Sequence, residues 1–126
     1  MKRLHHVFIA MFIYLFIAYY LPAFEIGYVW IIGCLTLFPD YDILFGLKHR
    51  NWFFHSNILP IIQVLIYQDQ IGILAVLGIT IHLILDLRFD KAGGTYCIHG
   101  LNSLQSTVYY LVNIGLGITT IVMNIT

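Results

Sequence analysis

From Val7 to Phe24 the chain runs eighteen residues, VFIAMFIYLFIAYYLPAF, without one charged side chain. At a rise of about 1.5 Å per residue, a helix of that length nears the roughly 30 Å of hydrocarbon in a bilayer. Four more apolar segments follow: Ile26–Leu47, interrupted by FPDYD, then Trp52–Tyr67, Ile71–Leu87 and Thr107–Ile125. Of the 126 residues 60% are hydrophobic and 10% charged, with a mean hydropathy of +0.88. An average soluble domain is about 25% charged, and one this short has no core large enough to hide so much apolar surface. In lipid the backbone must satisfy its own hydrogen bonds, so helices are the default. The expectation is all-α: one membrane-embedded domain over residues 1–126, a bundle of four to five transmembrane helices. Trp52–Tyr67 is the shortest segment and carries Pro60, which predicts a tilted, kinked or partly inserted helix. The basic start before Val7 imitates a signal peptide, but the apolar stretch is long and no small-residue cleavage site follows, so it reads as a retained helix.

The six basic residues are placed unevenly. Lys2 and Arg3 precede the first segment, Lys48 and Arg50 follow the second, and Arg88 and Lys91 follow the fourth. If the segments alternate across the membrane, all six fall on one side, with Glu25 and the QDQ at 68–70 on the other. The positive-inside rule makes the basic side cytoplasmic and the protein a multi-pass protein of the cell (inner) membrane with its N-terminus in the cytoplasm. The net charge of zero gives no general attraction to nucleic acid. Cys34 and Cys97 are too far apart for a CxxC zinc motif and form no disulfide framework. The lipid bilayer is the partner this composition implies.

Acids and histidines inside spanning segments are expensive and by default suggest function. Here they are Asp40, Asp42, His55, His82 and Asp86, with His6 at the mouth of the first segment and His49 in the connecting stretch KHRNWFFHS. In the topology above all seven lie near the cytoplasmic ends of their segments. In HLILD, His82 and Asp86 stand at i and i+4, on one helical face. Asp40 and Asp42 would diverge by about 200° on a regular helix, but Pro39 breaks one, so one or both carboxylates turn inward. Taken singly, each residue reads as an interfacial, capping or ion-paired group. Taken together, carboxylates and imidazoles at one depth are what zinc, manganese or iron requires.

FPDYD, then HRNWFFHS, then GITIHLILD resembles the prokaryotic family of membrane-bound metal-dependent hydrolases, the LexA-binding, inner-membrane-associated hydrolases. His6 fits that family's first histidine, and Pro39, Asp40 and Asp42 its PD-x-D stretch. His49, Arg50, His55 and Ser56 fit its HRG-x-THS stretch. His82 and Asp86 fit its H-x-x-x-D stretch, followed by the Gly93–Gly94 loop. The match runs from His6 to about Gly100, and its specificity lies in the order and spacing of elements that are weak alone. Two departures stand out: Asn51 replaces the Gly and Phe54 the Thr of the third element. The resemblance implies a metal-dependent hydrolase.

One or two divalent ions, zinc foremost with manganese or iron as alternatives, would be held by some of His6, Asp40, Asp42, His55, His82 and Asp86. A metal lowers the pKa of its water toward neutrality. An unligated Asp, or His49, would accept the proton, and the planar fork of Arg50 suits a phosphate oxygen. His49 and Arg50 are thus the catalytic candidates, and a phospholipid headgroup or other phosphoester at the cytoplasmic face is the candidate substrate. Trp52, Phe53 and Phe54 are expected at the interface. Two alternatives use the same residues without hydrolysis: a structural metal or ion-pair cluster, and, with less polar lining to support it, a small ion transporter. Tyr96 and His99, in GGTYCIHG, read as a solvated loop.

Overall fold

The computed structural model describes residues 2–42, 46, 52–87, 98 and 100–125. All of the regular structure among them is helical: α1 (Lys2–Tyr20), α2 (Val29–Thr36), α3 (Ile58–Tyr67), α4 (Gln70–Leu87) and α5 (Ser103–Ile125), with 3-10 turns at Ile26–Tyr28 and Phe38–Asp42. The all-α expectation holds. Two helices, Gln70–Leu87 and Leu104–Ile125, are long and apolar enough to cross a membrane. The apolar runs Leu4–Tyr20, Ile26–Tyr41 and Ile58–Tyr67 are shorter.

Local chemistry sets the breaks. Pro22 has no N–H to give and disfavours helix at Leu21, so α1 stops at Tyr20. The chain then folds back: Phe24 packs edge-on against Tyr14, whose hydroxyl donates to the Glu25 carbonyl at 2.6 Å. After α2 the winding tightens at Leu37–Asp40, where the Asp40 N–H bonds the Leu37 carbonyl at 2.9 Å. This is the interruption foreseen at FPDYD. The turn between α3 and α4 is two residues long. Gln68 takes the left-handed conformation (φ 49°) and returns its N–H to Val64. Asp69 then caps α4, its Oδ1 accepting from the Gly72 N–H at 3.0 Å.

The third segment departs most from expectation. Only Ile58–Tyr67 is helical, ten residues and therefore about 15 Å long, half the hydrocarbon thickness. Residues 52–57 form a turn instead. Pro60 is tolerated because it sits in the first helical turn, where the N–H it lacks would have had no intrahelical acceptor.

α4 is the core. From Leu74 to Leu83 every residue on it is buried. α1 and α2 cover one side through Ala10, Tyr14, Ile32, Leu77 and Ile81. α5 covers another through Ile79, Leu83, Tyr110 and Ile114. α2 meets α4 closely at Gly78, where a Cβ would stand 3.2 Å from the Leu35 Cβ and 3.3 Å from the Thr36 nitrogen. The outward faces are apolar: Phe8, Phe12 and Phe16 on α1, Leu65 and Ile66 on α3, Leu104 and Met123 on α5 are all exposed. Contiguous apolar exteriors of this kind mark contact with lipid or with another protein.

Candidate metal centre

Four stretches of chain deliver titratable groups to one point. The early part of α1 brings His6, the 3-10 turn Asp40, the turn before α3 His55, and the last turns of α4 His82 and Asp86. His55 and His82 are fully buried, Asp86 and Asp40 nearly so, and His6 keeps 14% of its side chain exposed.

Asp40, His55 and His82 each offer one donor atom, all within 4.8 Å of one another. The two imidazoles present Nε2 to both carboxylates. His82 Nε2 lies 3.9 Å from Asp40 Oδ1 and 3.3 Å from Asp86 Oδ2, and His55 Nε2 lies 3.9 and 3.6 Å from the same atoms. Asp86 uses its other oxygen, Oδ1, for His6 Nε2 at 3.4 Å. The His6 ring stacks on that of His82, and His55 meets His82 edge-on.

Two kinds of cluster have their own characteristic separations. A hydrogen-bonded His–carboxylate pair closes to about 2.7–2.9 Å, and none of the five contacts does. Donors around one ion with bonds of about 2.0–2.1 Å stand about 3.3 Å apart when tetrahedral. In the Asp40–His55–His82 group each imidazole Nε2 stands 3.9 Å from Asp40 Oδ1, somewhat wider than that edge, and all three donors lie within 4.8 Å. Two neutral nitrogens and one carboxylate form a set that suits a borderline divalent cation. The Asp40–His55–His82 group could therefore hold a metal ion, with Asp86 and His6 packed against it.

Of the six ligand candidates, the structure brings together His6, Asp40, His55, His82 and Asp86. Asp42 ends the 3-10 turn, and its side chain lies outside the described residues, as do His49, Arg50, Tyr96, Cys97 and His99. Ser56, part of the matched third element, is buried and donates to the Phe53 carbonyl at 2.8 Å, which shapes the turn. The aromatic run divides. Trp52 is exposed as an interfacial residue should be, whereas Phe54 is buried against Phe38, its ring 5.4 Å away. Phe54 is therefore packed inside rather than lying at the interface.

Five buried polar residues were not singled out from the sequence, Thr36, Asn57, Thr80, Ser106 and Asn113, and three of them bond one another. The Asn57 N–H donates to Asn113 Oδ1 at 3.0 Å, and Asn57 Nδ2 donates to Thr80 Oγ1 and to the Asn113 carbonyl at 3.0 and 2.9 Å. One signal was present, since an Asn in the middle of a spanning segment needs a partner. No protein-family model, curated protein or solved structure matches the chain.

Proposed function

We propose that this chain is a metal-dependent hydrolase of the cytoplasmic (inner) membrane, with its N-terminus inside, acting on a phosphoester such as a phospholipid headgroup. The observation that carries the reading is the convergence of Asp40, His55 and His82 to within 4.8 Å. Carboxylate and imidazole donors gathered in a shielded place are what a divalent ion such as zinc requires.

In this reading the chain crosses the membrane in a bundle of helices, the short α3 and the 52–57 turn together making one crossing. The exposed apolar faces of α1, α3 and α5 support it, as does the order of charges in the sequence, which puts all six basic residues on one side if the segments alternate. The order of His6, PDYD, HRNWFFHS and HLILD supports membership of the membrane-bound metal-dependent hydrolases.

Asp40, His55 and His82 would hold the ion, three protein donors being the number that leaves a catalytic site open. Bound there, a divalent ion supplies Lewis acidity and lowers the pKa of its water. Asp86 orients the imidazole of His6, the most exposed member of the cluster, to take and release the proton. Arg50 is the candidate for a phosphate oxygen.

Elemental mass spectrometry of detergent-purified protein tests this reading. The expected result is stoichiometric zinc or manganese in the wild type, lost in His55→Ala and in His82→Ala, with release of phosphate or headgroup from phospholipid vesicles by the wild type alone. Folded wild-type protein that takes up no added metal overturns it and leaves an ion-pair cluster.

A further inference from the structure

We infer that α5, which supplies none of the clustered groups, is the positioning element of the centre: Tyr109, Asn113 and Gly117 hold the 52–57 turn so that His55 meets Asp40 and His82. The inference rests on the metal reading and extends it to a helix that no motif reaches.

Asn57 Nδ2 bonds Thr80 Oγ1, which puts the turn level with Thr80. α4 continues seven residues beyond Thr80 to Leu87, about 10 Å. The turn is therefore non-helical backbone sunk within the length of a helix apolar enough to span. Backbone of this kind is tolerated at membrane depth only where protein satisfies its polar groups.

α5 satisfies them. Asn113 Oδ1 accepts from the Asn57 N–H, and the Asn113 carbonyl accepts from Asn57 Nδ2. The Tyr109 hydroxyl donates to the Trp52 carbonyl. Asn113 is itself fixed, its Nδ2 donating to the Tyr109 carbonyl at 2.9 Å. Both ends of the turn are thus tied to one helix, with His55 between them.

Gly117 lets α5 come close enough. A Cβ there would collide with Thr80 Oγ1 and stand 2.6 Å from Asn57 Nδ2. Tyr109, Asn113 and Gly117 are spaced four residues apart, so they form one stripe on α5. Gly115, two residues away, is exposed, and a Cβ there would meet nothing within 4 Å, which makes it a matched control.

The test compares Gly117→Ala and Asn113→Ala with Gly115→Ala in full-length protein in detergent. Cobalt(II) is titrated while its visible absorption is followed, because that spectrum reports coordination geometry. Loss of a residue that orients a metal ligand typically weakens binding 10–100-fold. The expected result is a weakening of that size with an altered spectrum in Gly117→Ala and Asn113→Ala, and wild-type behaviour in Gly115→Ala. Folded variants with wild-type affinity and spectrum overturn the inference while leaving the metal reading intact. If Gly117→Ala does not fold, Asn113→Ala, which only removes atoms, decides.

Nitrogen resonances of the His55 ring in metal-free protein give an answer independent of the ion. A shift in Asn113→Ala but not in Gly115→Ala supports the positioning role. Unchanged resonances overturn it. Wild-type protein that binds no cobalt overturns the metal reading, and the same resonances still decide whether α5 sets the place of His55.

Discussion

The ring of His6, on the first helix, stacks on the ring of His82, on the fourth, with centroids 4.7 Å apart and planes 26° from parallel. Stacking fixes the His6 plane while its Nε2 points to Asp86 Oδ1. The two imidazoles meet different atoms: His82 Nε2 lies near Asp40 Oδ1 and Asp86 Oδ2, and His6 Nε2 near Asp86 Oδ1. His6→Phe keeps a ring on His82 and removes the nitrogen. Metal content should stay at the wild-type level, and hydrolysis should fall by about 10²-fold or more, the usual contribution of a general base. Metal content and turnover measured on one preparation check both halves.

Removing the ion should loosen the end of the bundle where four stretches of chain meet. A ligand at about 100 times its dissociation constant stabilises the folded state by about 2.7 kcal/mol. Chelation should therefore lower the melting temperature of the detergent-solubilised wild type by several degrees. It should leave His82→Ala, which has no ion to lose, unmoved. Differential scanning fluorimetry with and without chelator makes the comparison.

Gly78 sets the distance between α2 and α4. In a membrane helix, small residues at such a contact let backbones approach. Gly78→Leu has to push Leu35 and the Thr36 backbone away, and overpacking of this kind costs about 1–3 kcal/mol. Because Asp40 follows α2 closely in the chain, the variant should also bind metal more weakly. Denaturant unfolding and metal titration test the two effects.

Asp69 lies far from the centre and should separate stability from function. Its Oδ1 caps α4 and its Oδ2 accepts from Gln63 Nε2 at 3.1 Å. Asp69→Ala should destabilise the protein by about 1 kcal/mol, the usual worth of such a cap. Metal stoichiometry should not change, as elemental analysis of the purified variant will record.

The residues of the centre were legible because their chemistry is costly in an apolar chain. HLILD announced a shared face, and Pro39 announced the break that turns Asp40 inward. The end of α1 was less visible. Its apolar run continues past Tyr20 to Phe24, and Pro22 alone marks the stop. The turn at 52–57 was hidden for a physical reason. Hydropathy measures how greasy a stretch is, and Trp52, Phe53 and Phe54 are as greasy in a buried turn as in a helix. The α5 stripe was hidden for another: Asn57 and Asn113 are far apart in sequence, and only packing joins them.

The position of α4 in the chain has a consequence for synthesis. It is the helix most enclosed by neighbours, and it carries His82 and Asp86. Chains emerge from the ribosome N-terminus first. His6, Asp40 and His55 have therefore all been made before Asp86 appears. α5 comes last and closes over the 52–57 turn. A ribosome stalled between α4 and α5 would hold every group of the cluster and lack the helix that fixes one of them in place.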